Sequence, residues 1–349
     1  MSSQQPEKRF FLFAAYLQII GIVLVVFGHS FHLYPGGTSQ MLFYRMMYSF
    51  RMPVFMFTSG FLMAFTTSRK STSWQSFAMG KVKRLLIPYI VLTLVTFVPR
   101  SLMSGMADDA IELSASGLIN GLIDGPKLVI PYFWFIHSSF VLLLTVYALL
   151  LLSRKAGISP AVFYPAVSAL ILLLNFLPVS YTSLFSLNRT VTMAVYFIAG
   201  CIYSHWQRQI DAAVKWQSAG VMAVFAAAWC ALFFLQQKEP YAGMLCSLAG
   251  IMTVVSAAKI LEHRHITVLD HLIGANYIIF LLSWYFNVAT QQVLSHYVAL
   301  PWWVHTAMSL LAGIYVPWLF YKWMLRHPAN RFTRFCAFLL GQSLKSPRK

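Results

Sequence analysis

Apolar stretches of about 20 residues alternate with short polar segments along the whole chain. They cover residues 10–34, 44–66, 84–104, 132–153, 161–178, 190–206, 216–235, 240–260, 272–295 and 300–325. A stretch of this length crosses a bilayer as a helix, because lipid offers no hydrogen-bond partners and each backbone amide must find one within the helix. The pattern therefore predicts an all-α, polytopic membrane protein. Its bundle of about ten transmembrane helices would form a single domain over residues 1–349.

Composition supports a membrane location. Hydrophobic residues make up 59% of the 349-residue chain, and charged residues only 10%. A soluble domain carries about 25% charged residues, most of them on its surface. This chain therefore lacks the charge to cover a surface exposed to water, and we expect lipid to surround most of it.

The basic residues predict the orientation in the membrane. If the N-terminus is cytoplasmic, all but six of the 26 Lys and Arg residues fall on the cytoplasmic side; the six are Arg45, Arg51, Arg100, Lys127, Arg189 and Lys238. The positive-inside rule describes such an asymmetry. Both ends are thus predicted to be cytoplasmic, and the basic tail 327–349 is expected to lie on the inner membrane surface.

Charge and cysteine usage argue against several classes of partner. The net charge of +17 is scattered over short loops, so anionic lipid head groups explain it better than nucleic acid. The four cysteines lack the spacing of a metal site, and no metal is predicted. None of the nine carboxylates falls within a predicted span, which disfavours an ion-coupled transporter.

His29 is the most conspicuous ionisable residue within a predicted span. It follows the apolar run IIGIVLVVFG in the first helix. An imidazole in the membrane needs a partner or a wet cavity, and its reference pKa near 6.5 suits a general base. The alternative interpretation, equally weighted, is a histidine that reaches the outer interface.

Arg45 and Arg51 lie near the start of the second helix. They are six residues apart, and we expect them to share roughly one side of that helix, near His29. A cation there would bind an anionic group or stabilise a developing oxyanion. The competing interpretation is an arginine that extends to the interface.

Three further segments contain polar or basic residues. Lys81, Lys83 and Arg84, in KVKRLLIPY, are explained as cytoplasmic anchors but could also hold phosphates. Trp134 is by default a packing or interface aromatic. The connection 105–131 holds four carboxylates and is predicted to face outward, as a solvated loop or as a site for a polar acceptor.

Four motifs occur in a familiar order: VVFGHS, SFRMPVFMFTSGFL, KVKRLLIPY and YFWFI. Together they resemble the acyltransferase-3 family of bacterial membrane O-acyltransferases, and within it the fucose 4-O-acetylase-like branch. The resemblance is strongest over the first 140 residues or so.

The resemblance implies a multi-pass enzyme of the bacterial cytoplasmic membrane. Such an enzyme moves an acyl group, usually acetyl from cytoplasmic acetyl-CoA, to a hydroxyl of an envelope sugar or polysaccharide. On this basis His29 is the expected catalytic base and Arg51 its catalytic partner. Lys81 and Arg84 would bind the phosphates of coenzyme A, and Arg45, Trp134 and Ser283 would contact the acceptor.

Two positions depart from the family pattern. Gln18 stands where many members carry an arginine, and Ser283 stands where many carry a late histidine. The first departure affects the geometry expected for the acyl donor, and the second the handling of the acceptor. The competing function is a transporter or flippase for a glycan or a lipid-linked sugar, which ten helices without a soluble domain would also suit.

Overall fold

In the computed structural model, the described residues are 4–31, 41–69, 72–102, 111–236, 240–264, 267–297 and 300–342. They form helices joined by short turns and contain no strand; a lone β-bridge pairs Asp124 with Leu184. The all-helical prediction is confirmed. The fourteen α-helices are α1 Gln4–His29, α2 Leu42–Arg69, α3 Trp74–Lys81, α4 Ile87–Leu102, α5 Ala115–Ile123, α6 Trp134–Lys155, α7 Pro160–Phe176, α8 Leu187–His205, α9 Gln207–Ala213, α10 Ala219–Leu235, α11 Pro240–Arg264, α12 Asn276–Tyr297, α13 Trp302–Arg326 and α14 Arg331–Leu339.

A helix overlaps each of the ten predicted stretches. Among the described residues, five helical segments are long and apolar enough to cross a membrane by length and composition: Leu12–His29, Trp74–Leu102, Pro131–Lys155, Ala242–Arg264 and Trp302–Arg326. The shorter helices α7 and α10 are also apolar. A multi-pass membrane protein is thus supported, whereas the count of ten spans and the cytoplasmic location of both ends stay predictions.

The described chain divides into two compact units. The first comprises Met1–Thr58 and Trp206–His327, and the second Ser59–His205 and Pro328–Lys349, so α2 contributes to both. In the first unit α1 packs against α11, α12 and α13, and α12 pairs with α13. In the second, α8 packs against α6 and α7, and α14 contacts α4. That the whole chain is one acyltransferase domain stays a prediction.

The third predicted span begins earlier than the sequence pattern suggests. A π-helical turn, Val82–Leu86, joins α3 to α4 without a break. Pro88 has no amide to bond the carbonyl of Arg84, and a locally wider turn accommodates this loss. The turn carries Lys83 and Arg84, and both side chains are exposed.

The basic tail begins with an amphipathic helix. In α14 the side chains of Phe332, Phe335 and Phe338 are exposed, whereas Thr333 and Ala337 are buried. This exposed apolar face suits the predicted position on the inner membrane surface. Residues 343–349 of the tail lie outside the described residues.

Candidate active site

His29 is the last residue of α1, and polar side chains of α12 hold this end of the helix. Gln291 Nε2 donates to the His29 carbonyl at 3.1 Å, and Asn287 Nδ2 donates to the Val26 carbonyl at 3.2 Å. The last carbonyls of a helix have no partner within it, so these amides satisfy acceptors that would otherwise be unpaired in an apolar setting. The backbone that carries the imidazole is therefore fixed.

The two amides belong to a buried polar layer between α12 and α13. Gln291 also donates to Ser309 Oγ at 2.9 Å, and Ser309 donates to the Asn287 carbonyl at 3.4 Å. All three side chains are almost completely buried. Gly313 makes room for the layer, because a Cβ at that position would collide with Asn287 Oδ1.

This polar layer was not among the features predicted from the sequence. Asn287 and Gln291 are four residues apart in an otherwise apolar helix, which places them on one face. Two amides on one face of a transmembrane helix indicate a buried polar contact. That spacing was the signal, but it does not say which helix the amides would meet.

Arg51 is a buried cation surrounded by aromatic rings. Its side chain is only 5% exposed, and the guanidinium carbon lies 4.4 Å from the ring centre of Tyr48 and 5.3 Å from that of Tyr44. Nη2 donates to the Tyr44 hydroxyl at 3.5 Å, and Nε has no hydrogen-bond partner among the described residues. No described carboxylate forms an ion pair with it, so cation–π contacts provide the main stabilisation of this charge.

Gly28 places the Arg51 guanidinium next to the end of α1. A Cβ at residue 28 would overlap Arg51 Nη1, so the guanidinium occupies the space that a side chain would need. Gly28 immediately precedes His29. The structure thus brings the predicted catalytic pair to one place, with the cation against the backbone that positions the imidazole.

Arg45 does not share the side of α2 that Arg51 occupies, so that expectation is wrong. Six residues turn an α-helix by about 600°, which leaves the two side chains roughly 120° apart. Arg45 is exposed, and its guanidinium carbon lies 5.9 Å from the ring centre of Phe233. Its contact with the acceptor stays a prediction.

The residues predicted to bind the acyl donor, Lys81 and Arg84, lie in the second unit. Lys81, at the end of α3, is half-buried, and its Nζ lies 4.8 Å from the ring centre of Phe77. Arg84 is exposed in the π-helical turn. The left-handed turn at Gly341, with φ of 63°, packs against the Arg84 carbonyl, and a side chain at residue 341 would collide with it.

Trp134, Ser283 and Gln18 are the remaining positions that the sequence singled out. Trp134 opens α6 and is half-buried, with the guanidinium carbon of Arg189 5.0 Å from its ring centre. Ser283 is 2% exposed within α12. Gln18 accepts a hydrogen bond from Asn276 Nδ2 at 3.1 Å, so an amide pair stands where the family pattern has a charge.

Comparison with known proteins decides the family. Residues 12–322 match the family model described as the acyltransferase domain of the acyltransferase-3 group. The chain belongs to the acyltransferase-3 family. No curated protein and no solved structure matches this acyltransferase-family chain closely enough to count as similar. The prediction of the fucose 4-O-acetylase-like branch stays a prediction.

Membership in the acyltransferase-3 family gives the chain an acyl donor and an acceptor as substrates. A membrane protein of this kind also contacts lipids. Within the described residues, no group of His, Cys, Asp or Glu side chains is arranged to hold a metal ion. The candidate site therefore offers an imidazole, a guanidinium and carboxamides to the reaction.

Proposed function

We propose that this protein is a membrane O-acyltransferase that moves an acetyl group from cytoplasmic acetyl-CoA to a hydroxyl of an envelope sugar or polysaccharide. It would act in the bacterial cytoplasmic membrane. The observation that carries the proposal is the buried Arg51 guanidinium packed on Gly28, beside a fixed His29. An unpaired buried cation is costly unless it binds or stabilises negative charge, and acyl transfer develops such charge on the carbonyl oxygen.

The proposed chemistry assigns one role to each of the two side chains. His29 takes the proton from the acceptor hydroxyl as its oxygen forms a bond to the thioester carbon. Arg51 stabilises the oxyanion of the tetrahedral intermediate. Collapse of the intermediate breaks the carbon–sulfur bond, and the leaving thiolate takes the proton from the imidazolium. The products are the acetyl ester and free coenzyme A.

The same two side chains also suit a covalent relay. In this route the His29 imidazole attacks the thioester carbon, the carbon–sulfur bond breaks, and the leaving thiolate takes the ring N–H proton. The sugar hydroxyl then takes the acyl group from the acyl-imidazole, and its proton returns to the ring. Both routes need the neutral ring at the end of α1 and a cation for the oxyanion. They share the same substrates and products.

The donor is proposed to bind through its phosphates at Lys81 and Arg84. Guanidinium and ammonium groups suit phosphates, and a π-helical turn within an α-helix often marks a functional position. For the acceptor we propose contacts with Arg45, Trp134 and Ser283. Trp134 presents an aromatic ring beside the cation of Arg189, a pair that could pack against a polar ring with hydroxyls.

The test is to complement a deletion strain with a His29→Ala variant and measure ester-linked acetyl on the envelope glycan by mass spectrometry. The enzyme proposal predicts that the variant loses the ester, because removal of the base should slow acyl transfer by about 10²–10⁴-fold. Glycan should still reach the surface. A matched control is His296→Ala, because His296 is exposed on α12. Loss of surface glycan itself would instead indicate the transporter or flippase, and an unchanged ester content would contradict the proposal.

A further inference from the structure

The second unit contains a cavity that the proposed reaction does not use. It has a volume of about 450 Å³ and lies between the ends of α2, α6 and α8 and the start of α7. This volume lies within the range of small-molecule sites. Its polar lining includes Arg154, His205, Ser68 and Ser204.

The charged lining of the cavity is basic. Arg154, in the last turn of α6, donates from Nη2 to the Thr67 carbonyl at 3.3 Å, which ties its guanidinium to the end of α2. His205 ends α8, and its ring lies 5.4 Å from that of Tyr164. None of the described residues that line the cavity is acidic.

The sequence places the carboxylates of this unit elsewhere. All four of them fall between residues 105 and 131, far along the chain from α6, α7 and α8. Arg154 therefore faces the cavity with a positive charge that no neighbouring lining residue neutralises. The shared chemistry of a ligand that fits is an anion with several acceptor oxygens, such as a phosphate.

The other part of the lining is apolar and is continuous with exposed apolar side chains on the surface of the protein. Leu150, Ile158 and Phe163 line the cavity. Beside them, Leu152 and Val162 are about 60% exposed on α6 and α7. In the predicted orientation these helix ends lie at the cytoplasmic face, where anionic lipids are found. An amphiphile, with a phosphate for Arg154 and acyl chains for the apolar surface, matches both parts.

We propose that this cavity binds the phosphate head group of an anionic phospholipid of the inner leaflet. Arg154 and His205 are exposed side chains that line the cavity. Arg154 binds the phosphate as a cation, and His205 donates a second hydrogen bond to it. Leu150, Ile158 and Phe163 contact the first part of the acyl chains. This proposal does not rest on the acyl-transfer chemistry, so it can be tested separately from the proposed function.

The test is native mass spectrometry of the full-length protein. The protein is loaded with phosphatidylglycerol or with phosphatidylcholine of identical chains, and the lipid retained per molecule is counted. The wild type is expected to retain phosphatidylglycerol about tenfold more than phosphatidylcholine. Arg154→Gln should abolish that preference and His205→Gln should reduce it, whereas Arg154→Lys should restore part of it.

The matched control is Lys155→Gln, which removes the next basic residue along the chain. Lys155 is exposed and does not line the cavity, so this variant should keep the wild-type preference. Equal losses in Arg154→Gln and Lys155→Gln would overturn the proposal, because they would indicate general surface attraction.

A second arm separates the lipid from a soluble phosphate. Coenzyme A or inorganic pyrophosphate at millimolar concentration is added to the protein loaded with phosphatidylglycerol. Retention of the lipid supports the proposal. Displacement of one phosphatidylglycerol from the wild type, but not from Arg154→Gln, would overturn it and assign the cavity to a soluble phosphate compound.

Discussion

Two arginines of this protein, one in each compact unit, show how differently a cation can be accommodated. Arg51 of the first unit is 5% exposed, lies against Tyr44 and Tyr48, and occupies the space above Gly28. Arg84 of the second unit is exposed in a π-helical turn. Burying a cation costs several kcal/mol unless its surroundings compensate, whereas an exposed arginine keeps its water. We therefore expect Arg51 to matter far more than Arg84 to the chemical step.

The largest expected effect follows from removing the buried cation. Arg51→Gln should lower the rate of acyl transfer by about 10²–10³-fold, because the oxyanion loses its charged donor. The measurement is single-turnover acyl transfer with purified protein. Arg326→Gln, which removes an exposed arginine of the same unit, should leave the rate unchanged. Similar losses in both variants would contradict the special role of the buried charge.

Glycine substitutions test the difference between the two units. Gly28→Ala should displace the Arg51 guanidinium, lower the rate about tenfold or more, and destabilise the protein by about 1–3 kcal/mol through overpacking. Gly80→Ala in α3 is the matched control, since a Cβ there meets nothing within 4 Å. It should stabilise its helix by about 0.5–1 kcal/mol. Thermal unfolding and rate measurements on both variants check this prediction, and a neutral Gly28→Ala would refute it.

The polar layer behind His29 should have a smaller effect. Gln291→Leu removes the donor to the His29 carbonyl and leaves a buried acceptor unpaired, which costs about 1–3 kcal/mol. We expect a lower melting temperature and a rate reduced about tenfold, with the acceptor KM little changed. Gln292→Leu, on the exposed neighbouring position, should leave both quantities as in the wild type. A stable Gln291→Leu protein with full activity would show that the layer does not position the imidazole.

The smallest effect is expected at the exposed basic turn. Arg84→Gln should raise the KM for acetyl-CoA by about fivefold and leave kcat unchanged, because an exposed charge contact contributes about 1 kcal/mol or less. Steady-state kinetics over a range of acetyl-CoA concentrations measures this split. Lys155→Gln, which removes an exposed basic residue of the same unit outside this turn, is the control and should leave both parameters unchanged. A fall in kcat for Arg84→Gln would place the donor phosphates elsewhere.

The sequence was informative wherever a local pattern sufficed. Long apolar stretches require helices in lipid, so most of the predicted stretches coincide with helices to within a few residues. The third is an exception, because its helical segment begins at Trp74 rather than at residue 84. Helices α2 and α12 are long enough to cross a membrane but are less apolar than the five candidate spans. Both carry buried polar residues, such as Arg51 in α2 and Asn287 in α12. Those polar residues weaken the hydropathy signal and mark the candidate site.

Errors arose where an angle or a neighbour mattered. Arg45 and Arg51 were expected on one side of α2, but a spacing of six residues does not return to the same face. For His29 the sequence supported two interpretations equally, a catalytic base and an interface residue. The sequence does not show which side chains lie near the imidazole. Gln291 and Asn287 lie more than 250 residues away along the chain and could not be paired with α1 by periodicity.

The order of residues is enough to predict that this chain is helical and suited to lipid, and that its imidazole and guanidinium come early in the chain. The contact of Arg51 with Gly28 and the bond from α12 to the end of α1 became visible in the folded protein alone. The two differ because the interactions act over different separations along the chain. Helix formation depends on hydrogen bonds four residues apart, whereas burial of a cation or an amide depends on the helices that fold around it.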